Sequence, residues 1–120
     1  MLRAALAASS DSLERAVLVS HAPPGGLALG MLWSGQDVGS VSVREWVRRR
    51  QPALMLSGHI HESPDVNLAQ RGEAVHTAKL GRTTCHQPGQ GLPDELTYSV
   101  VELGDDGGVG IDWRRLVLRW

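Results

Sequence analysis

Two short runs of apolar residues divide the first half of the chain. The first extends from Ala16 to Ser20 and contains two valines, and the second, Ala53 to Ser57, repeats this pattern almost letter for letter. A continuous apolar run of this length is typical of a strand that is covered on both faces, as in a parallel sheet. The pattern therefore predicts two buried strands.

The segment between these strands predicts a long loop and then a helix. Residues 22–40 are rich in glycine and proline, which favours a loop. Ser42 and Glu45 match a capping box at the start of the helix. Arg48–Arg50 are interpreted as a solvated helix end, where positive charge interacts favourably with the negative end of the helix dipole, and Pro52 ends the helix. The resulting βαβ unit predicts parallel, adjacent strands joined by a right-handed crossover.

The second half of the chain has a different texture. After Pro64, four segments with strand composition alternate with glycine-rich turns; they comprise residues 73–80, 82–86, 96–103 and 109–120. We predict an antiparallel meander here, and a short helix over Ala4–Ala8 at the other end of the chain. The fold class is therefore α/β with α+β character, one βαβ unit followed by a meander, in a single domain over residues 1–120.

Charge and composition exclude several kinds of partner. Twelve basic and thirteen acidic side chains give a formal net charge of -1, so nothing indicates binding to nucleic acid or to an anionic membrane. No window reaches the roughly 18 consecutive apolar residues that a membrane span needs. The single cysteine, Cys85, excludes an internal disulfide and is interpreted as a small buried apolar residue. A cytoplasmic location is predicted, since the chain fits a reducing compartment.

Three histidines follow the two predicted parallel strands. His21 comes one residue after Ser20, and His59 and His61 come two and four residues after Ser57. Because the carboxyl ends of parallel neighbours share one edge of a sheet, all three imidazoles are expected at that edge. Imidazole is the commonest side-chain metal ligand, so we predict that His21, His59 and His61 bind metal.

The residues around this histidine pair have supporting interpretations. Gly58 would let the backbone turn sharply and approach an ion, while Ile60 packs back against the core. Glu62 is either an outer carboxylate that orients a histidine or an exposed loop acid. His76 and His86 fall inside predicted strands, where a structural polar residue is the simpler interpretation.

The order of these motifs resembles one enzyme family. "VLVSHAPP", a helix and then "LMLSGHIHE" are similar to the C-terminal half of the calcineurin-like metallophosphoesterases, whose late motifs are a strand-end histidine and Gly-His-x-His. "LGRTTCHQPGQ" and "LTYSVVEL" resemble the strands that follow in small bacterial members. The similarity extends from about Val17 to Leu103.

This resemblance implies a fold, a cofactor and a reaction. The fold would be part of a four-layer α/β/β/α sandwich that carries two divalent metal ions such as Mn, Fe or Zn. By the resemblance, His21 and His59 would bind one ion and His61 the other. The reaction would be hydrolysis of a phosphomonoester or phosphodiester, in which two ions polarise the phosphoryl oxygens and activate a bridging water.

The early motifs of that family are absent from the sequence. There is no Asp-x-His, no Gly-Asp in the required order and no Gly-Asn-His, and Gln87 stands where the family usually has asparagine. We therefore expect a partial domain that supplies the C-terminal half of the site, has no catalytic residue identified in it and is inactive alone. Its expected partners are a phosphate ester and either the missing N-terminal half or a second copy.

Two alternatives remain open. The chain could be a non-catalytic metal-binding or interaction module that keeps the scaffold of the family. More remotely, three histidines with an open fourth position would suit a mononuclear hydrolase.

Overall fold

A computed structural model describes residues 13–119, so the helix predicted over Ala4–Ala8 lies outside the described residues. The described part is a mixed α/β arrangement of six strands and two helices. In chain order these are β1 (Val17–Val19), α1 (Val41–Arg50), β2 (Leu54–Leu56), α2 (Ser63–Arg71), β3 (Thr77–Leu80), β4 (Thr83–His86), β5 (Glu95–Leu103) and β6 (Val109–Val117).

Four strands form one mixed sheet in the order β1-β2-β4-β3. β1 and β2 are parallel and adjacent, as the βαβ pattern predicts. The prediction that both strands are buried is wrong for β1, because β1 lies at an edge of the described sheet and its Val17 and Val19 are exposed. β4 also runs parallel to β2, so that Val19, Leu56 and His86 lie in one row across three strands. β3 pairs antiparallel with β4 at the far edge.

The prediction of one continuous meander in the second half is therefore wrong. Only β5 and β6 form a separate antiparallel hairpin sheet, whereas β3 and β4 belong to the first sheet. The physical reason is the direction of β3. It starts at the carboxyl edge of β2, opposite His86, and runs back to the amino edge, where β4 begins parallel to β2.

α2 itself was not predicted from the sequence. Its signals are present: Pro64 lies in the first turn with Asp65, and Gly72 ends the helix in the left-handed conformation, with φ of 82°. The glycine pattern predicts only a turn at Gly72. In the structure, Val66 and Asn67 between Pro64 and Gly72 are buried, which shows that this helix packs on the rest of the protein.

α1 begins two residues earlier than the capping-box pattern indicates. Ser40, not Ser42, is the N-cap, and its hydroxyl accepts a hydrogen bond of 3.1 Å from the backbone N–H of Val43. The helix ends as predicted, because Gln51 takes a left-handed conformation directly before Pro52.

The hydrophobic core lies on the α1 side of the sheet. Its buried centre consists of Leu29, Val47, Met55 and Cys85. Leu29 comes from the long loop that follows β1, so this loop is part of the core. Cys85 is fully buried, as predicted, and burial raises the pKa of its thiol to about 11.

Hydrogen bonds give the long loop a fixed shape. The carboxylate of Asp37 accepts from the backbone N–H groups of Gly26, Ala28 and Gly39 at 3.1, 3.3 and 2.9 Å. The two ends of the loop are also joined, because the backbone N–H of Ser40 donates to the carbonyl of Pro23 at 2.7 Å. Within residues 13–119, neither helix has the length and apolar character to cross a membrane.

Candidate functional site

Two of the predicted ligand histidines lie side by side at the carboxyl ends of β1 and β2. The ladder between these strands continues past their ends: Ser20 donates to the carbonyl of Leu56 at 2.9 Å, and Gly58 donates to the carbonyl of His21 at 3.1 Å. The imidazole centroids of His21 and His59 are 4.3 Å apart, with a tilt of 43° between the rings. Both side chains are exposed to solvent.

His59 adopts a backbone conformation that is unusual for a residue with a side chain. Its φ is 69°, in the left-handed region, so the left-handed residue of this turn is His59 rather than Gly58. The turn allows Ile60 to point inward, where it is 6% exposed. Strain of this kind costs roughly 1–3 kcal/mol and is concentrated at functional sites.

Replacement of His59 by glycine is expected to raise the free energy of unfolding by about 1 kcal/mol, because glycine adopts this conformation without a steric cost. Urea denaturation measures the change. His61→Gly is the matched control, since His61 has no positive φ, and there glycine is expected to lower stability by roughly 0.5–1 kcal/mol. A His59→Gly protein less stable than the wild type would show that the ring contact with His21 outweighs the backbone strain.

His61 lies on the turn that leads into α2. It is exposed, and its carbonyl accepts a hydrogen bond of 2.8 Å from the backbone N–H of Gln90. Glu62 precedes α2, and its carboxylate does not cap that helix. A Cβ added to Gly58 would meet no atom within 4 Å, so the space beside this glycine is open.

The fit of these residues to a metal ion is partial. Two neighbouring neutral imidazoles, those of His21 and His59, could supply two ligands to one ion. Within residues 13–119, no group of three or more His, Cys, Asp and Glu side chains is placed to hold a metal ion. The structure therefore joins two of the three predicted ligands and does not bring His61 into a common group with them.

The buried side chain of Gln87 holds the loop that carries His59 and His61 in place. Its side chain is 1% exposed, and its Nε2 donates to the carbonyls of Ile60 at 2.6 Å and Leu29 at 3.0 Å. Its Oε1 accepts from the backbone N–H of Gly89 at 2.6 Å. The sequence marked Gln87 only as a departure from the family's asparagine; in the structure one amide joins three loops.

The other two histidines belong to a polar chain that we call the histidine seam, formed by His76, Thr77, His86 and Ser99. The Oγ1 of Thr77 is 2.8 Å from Nδ1 of His76 and 2.9 Å from Nδ1 of His86. The Nε2 of His86 is 2.7 Å from Oγ of Ser99. Because His86 ends β4 and Ser99 lies on β5, the seam connects the two sheets.

Burial dominates the electrostatics of the seam. It lowers the pKa of His86 to about 4, with a further lowering from the neighbouring His76, and it also lowers the pKa of His76. An imidazole this difficult to protonate is a weak general base, so the contact between His86 and Ser99 is not arranged to activate a nucleophile. The seam therefore agrees with the structural interpretation of His76 and His86.

An open cavity of about 180 Å³ lies at the amino ends of the strands, away from the strand-end histidines. Its lining consists of Glu14, Gln51, Pro52, Ala53, Arg82, Asp106 and Gly107. No histidine borders it, so it is separate from the candidate site.

Comparison with known proteins adds no family assignment. No protein-family model, curated protein sequence or solved structure matches the chain. Proposals about its function therefore depend on the residues and the geometry described above.

Proposed function

We propose that the chain provides the strand-end histidine half of a metal-dependent phosphoesterase centre. The observation that carries this proposal is the close pair of His21 and His59 at the carboxyl ends of adjacent parallel strands. The resemblance to metallophosphoesterases implies this same pair for one ion and assigns His61 to another. The substrate class is a phosphomonoester or phosphodiester, and the complete domain would be a four-layer sandwich in the cytoplasm.

The chain's own residues would hold and orient the ligands. His21 and His59 bind through unprotonated ring nitrogens, and the hydrogen bond between Gly58 and His21 fixes their separation. Gln87 keeps the following loop in place. When bound, divalent ions would supply charge stabilisation to the phosphoryl oxygens and a more acidic water.

The remaining half of the site would come from the missing N-terminal half or from a second copy. Within residues 13–119, β1 is one of the two edge strands of the sheet, and its side chains Val17 and Val19 are 43% and 73% exposed. An edge strand with exposed apolar residues is a surface on which another chain can add.

Zinc titration tests the metal half-site. We expect the His59→Ala variant to bind Zn²⁺ at least about tenfold more weakly than the wild type, because loss of even an outer partner of a metal ligand costs that much. Isothermal calorimetry measures the affinity. His76→Ala is the control, since His76 lies in the histidine seam, and it should weaken Zn²⁺ binding less than His59→Ala does.

Equal losses in the two variants, or no zinc binding by the wild type, would contradict the assignment. Turnover separates the remaining alternatives: the isolated chain with Mn²⁺ should hydrolyse p-nitrophenyl phosphate and bis-p-nitrophenyl phosphate little or not at all. Robust metal-dependent turnover would instead favour a complete mononuclear centre with three histidines. Zinc binding that persists without any activity after the N-terminal half is supplied would favour the non-catalytic module.

A further inference from the structure

The histidine seam carries an inference that is independent of the metal site. It links the hairpin sheet to the four-stranded sheet. His86 is 2% exposed, and all of its ring nitrogens are engaged, by Thr77 on one side and Ser99 on the other. Its neighbour His76 stacks on Trp113 of β6 with ring centroids 4.8 Å apart. Docking of the hairpin therefore depends on these rings.

The seam is built for neutral histidines. A neutral imidazole has one donor and one acceptor nitrogen, so the Thr77 hydroxyl can donate to one ring and accept from the other. A proton on His86 would place a positive charge on a side chain that is only 2% exposed, and burial of a charge is costly. A proton on His76 as well would turn both Nδ1 atoms into donors and leave the hydroxyl hydrogen of Thr77 without an acceptor there. The ring centroids of His76 and His86 are only 5.6 Å apart, so two positive charges would also repel each other.

We propose that the histidine seam is an acid-sensitive latch: protonation of His86 releases the β5–β6 hairpin from the four-stranded sheet. When the hairpin is released, its face that carries Ser99 and Trp113 becomes exposed to solvent, and the hairpin no longer covers His86 of β4. The release also reaches the loop after β2, because the carbonyl of His86 accepts from the backbone N–H and the hydroxyl of Ser57 at 2.9 and 3.2 Å.

The titratable and charged groups near the seam are His76 and Arg115. His76, which precedes β3, is the titratable group that faces His86 directly. On the hairpin, the guanidinium carbon of Arg115 lies 5.2 Å from the centre of the Trp113 ring. Arg115 pairs with Asp65 of α2 at 2.7 Å, which forms a second link between the hairpin and the rest of the protein, and with Glu95 of β5 within the hairpin at 3.0 Å.

The direction of the pH effect follows from linkage. The released hairpin exposes His86, whose pKa returns towards its ordinary value of 6.5, whereas the docked state holds it at about 4. Docking is therefore fully stable above pH 6.5 and weakens as the pH falls towards 4. Inside this window the ratio of docked to released hairpin falls by up to roughly tenfold for each pH unit.

Hydrogen exchange at the indole N–H of Trp113 reports the release. This group donates to the carbonyl of Pro88 at 2.9 Å in the docked state, so it is protected from exchange. We expect its protection, referred to free tryptophan at the same pH, to fall at least about tenfold between pH 7 and pH 5. The backbone amide of Met55 in β2 should stay protected over the same range, because β1, β2 and α1 do not depend on the latch.

The His86→Asn variant keeps a neutral hydrogen-bonding side chain and removes the titration of His86. Its Trp113 protection should therefore fall clearly less between pH 7 and pH 5 than that of the wild type, with the remaining change coming from His76. Gln70→Asn, at an exposed residue of α2 outside both the seam and the candidate metal site, is the control and should behave like the wild type. Equal pH dependence in the wild type and in His86→Asn would overturn the proposal, as would joint loss of protection at Trp113 and Met55. Should His86→Asn fail to fold, an NMR titration of the wild type decides: a His86 ring that protonates near pH 6.5 with Trp113 still protected overturns the latch.

Discussion

Replacing Gln87 by leucine is expected to lower the free energy of unfolding by on the order of 3 kcal/mol, because each buried polar group left without a partner costs about 1–3 kcal/mol. The substitution removes the donor for the buried carbonyls of Leu29 and Ile60 and the acceptor for the backbone N–H of Gly89. Leucine has a similar volume, so the loss is one of hydrogen bonds and not of packing. Urea denaturation with an unchanged m value measures it.

A matched control exists in the same protein. Gln70 is exposed and makes one side-chain hydrogen bond, of 2.9 Å to the carbonyl of Trp33, so Gln70→Leu should cost less than about 1 kcal/mol. Gln87→Asn should fall between the two, since the shorter side chain cannot reach all three groups from the same backbone. Equal costs for Gln87→Leu and Gln70→Leu would show that water satisfies the three backbone groups.

The stability loss should be accompanied by a change at the candidate site. Ile60 lies between His59 and His61, and its carbonyl is held by Gln87. Without this hydrogen bond, fewer interactions hold His59 in its left-handed conformation, and strained conformations persist only where their surroundings enforce them. The NMR signals of the His59 ring should then broaden or move in Gln87→Leu and remain unchanged in Gln70→Leu.

The βαβ unit was predictable because its signals are local. The two apolar runs become β1 and β2, and β2 is almost fully covered at Leu54 and Met55. Parallel pairing then follows from the intervening helix, since a crossover of this length returns the chain to the same end of the sheet. This much of the fold depends on composition and on short-range periodicity.

The place of β4 was not predictable in the same way. Its sequence, Thr83 to His86, is largely polar, yet all four residues are buried. Their polar groups are satisfied by partners distant in sequence: the hydroxyl of Thr83 donates to the carbonyl of Pro52 at 2.6 Å, and His86 contacts Ser99 of β5. The sequence predicts a strand here, over residues 82–86, but a hydrophobic pattern cannot reveal that the strand is buried beside β2 when its burial depends on such long-range hydrogen bonds.

The same distinction applies to the candidate site. His21 and His59 lie close together because they follow the ends of two adjacent strands, and both strand ends can be predicted from the sequence. The position of His61 apart from this pair depends on the left-handed conformation of His59. Nothing in the local sequence indicates that a histidine would adopt this conformation. The histidine seam depends on where the hairpin docks, which becomes predictable only when β4 is recognised as a parallel neighbour of β2.

Gly39→Ala is expected to lower the free energy of unfolding by about 3 kcal/mol, the upper end of the usual cost of overpacking. An added Cβ would lie 2.6 Å from the carbonyl oxygen of Pro24 and 2.7 Å from the Cα of Gly25. Both contacts are with backbone, so no side chain can turn aside to make room. The loop would have to open between Pro24 and Gly39, and it is this loop that places Leu29 in the core.

Gly58→Ala provides the matched control for this experiment. Its Cβ meets no atom within 4 Å and its φ lies outside the left-handed region, so the change should alter stability by no more than about 0.5 kcal/mol. Thermal unfolding of the two variants compares them directly. A Gly39→Ala protein as stable as Gly58→Ala would mean that the loop can open there while Leu29 stays buried. The connection from His21 to α1 would then be less rigid than the hydrogen bonds of Asp37 and Ser40 indicate.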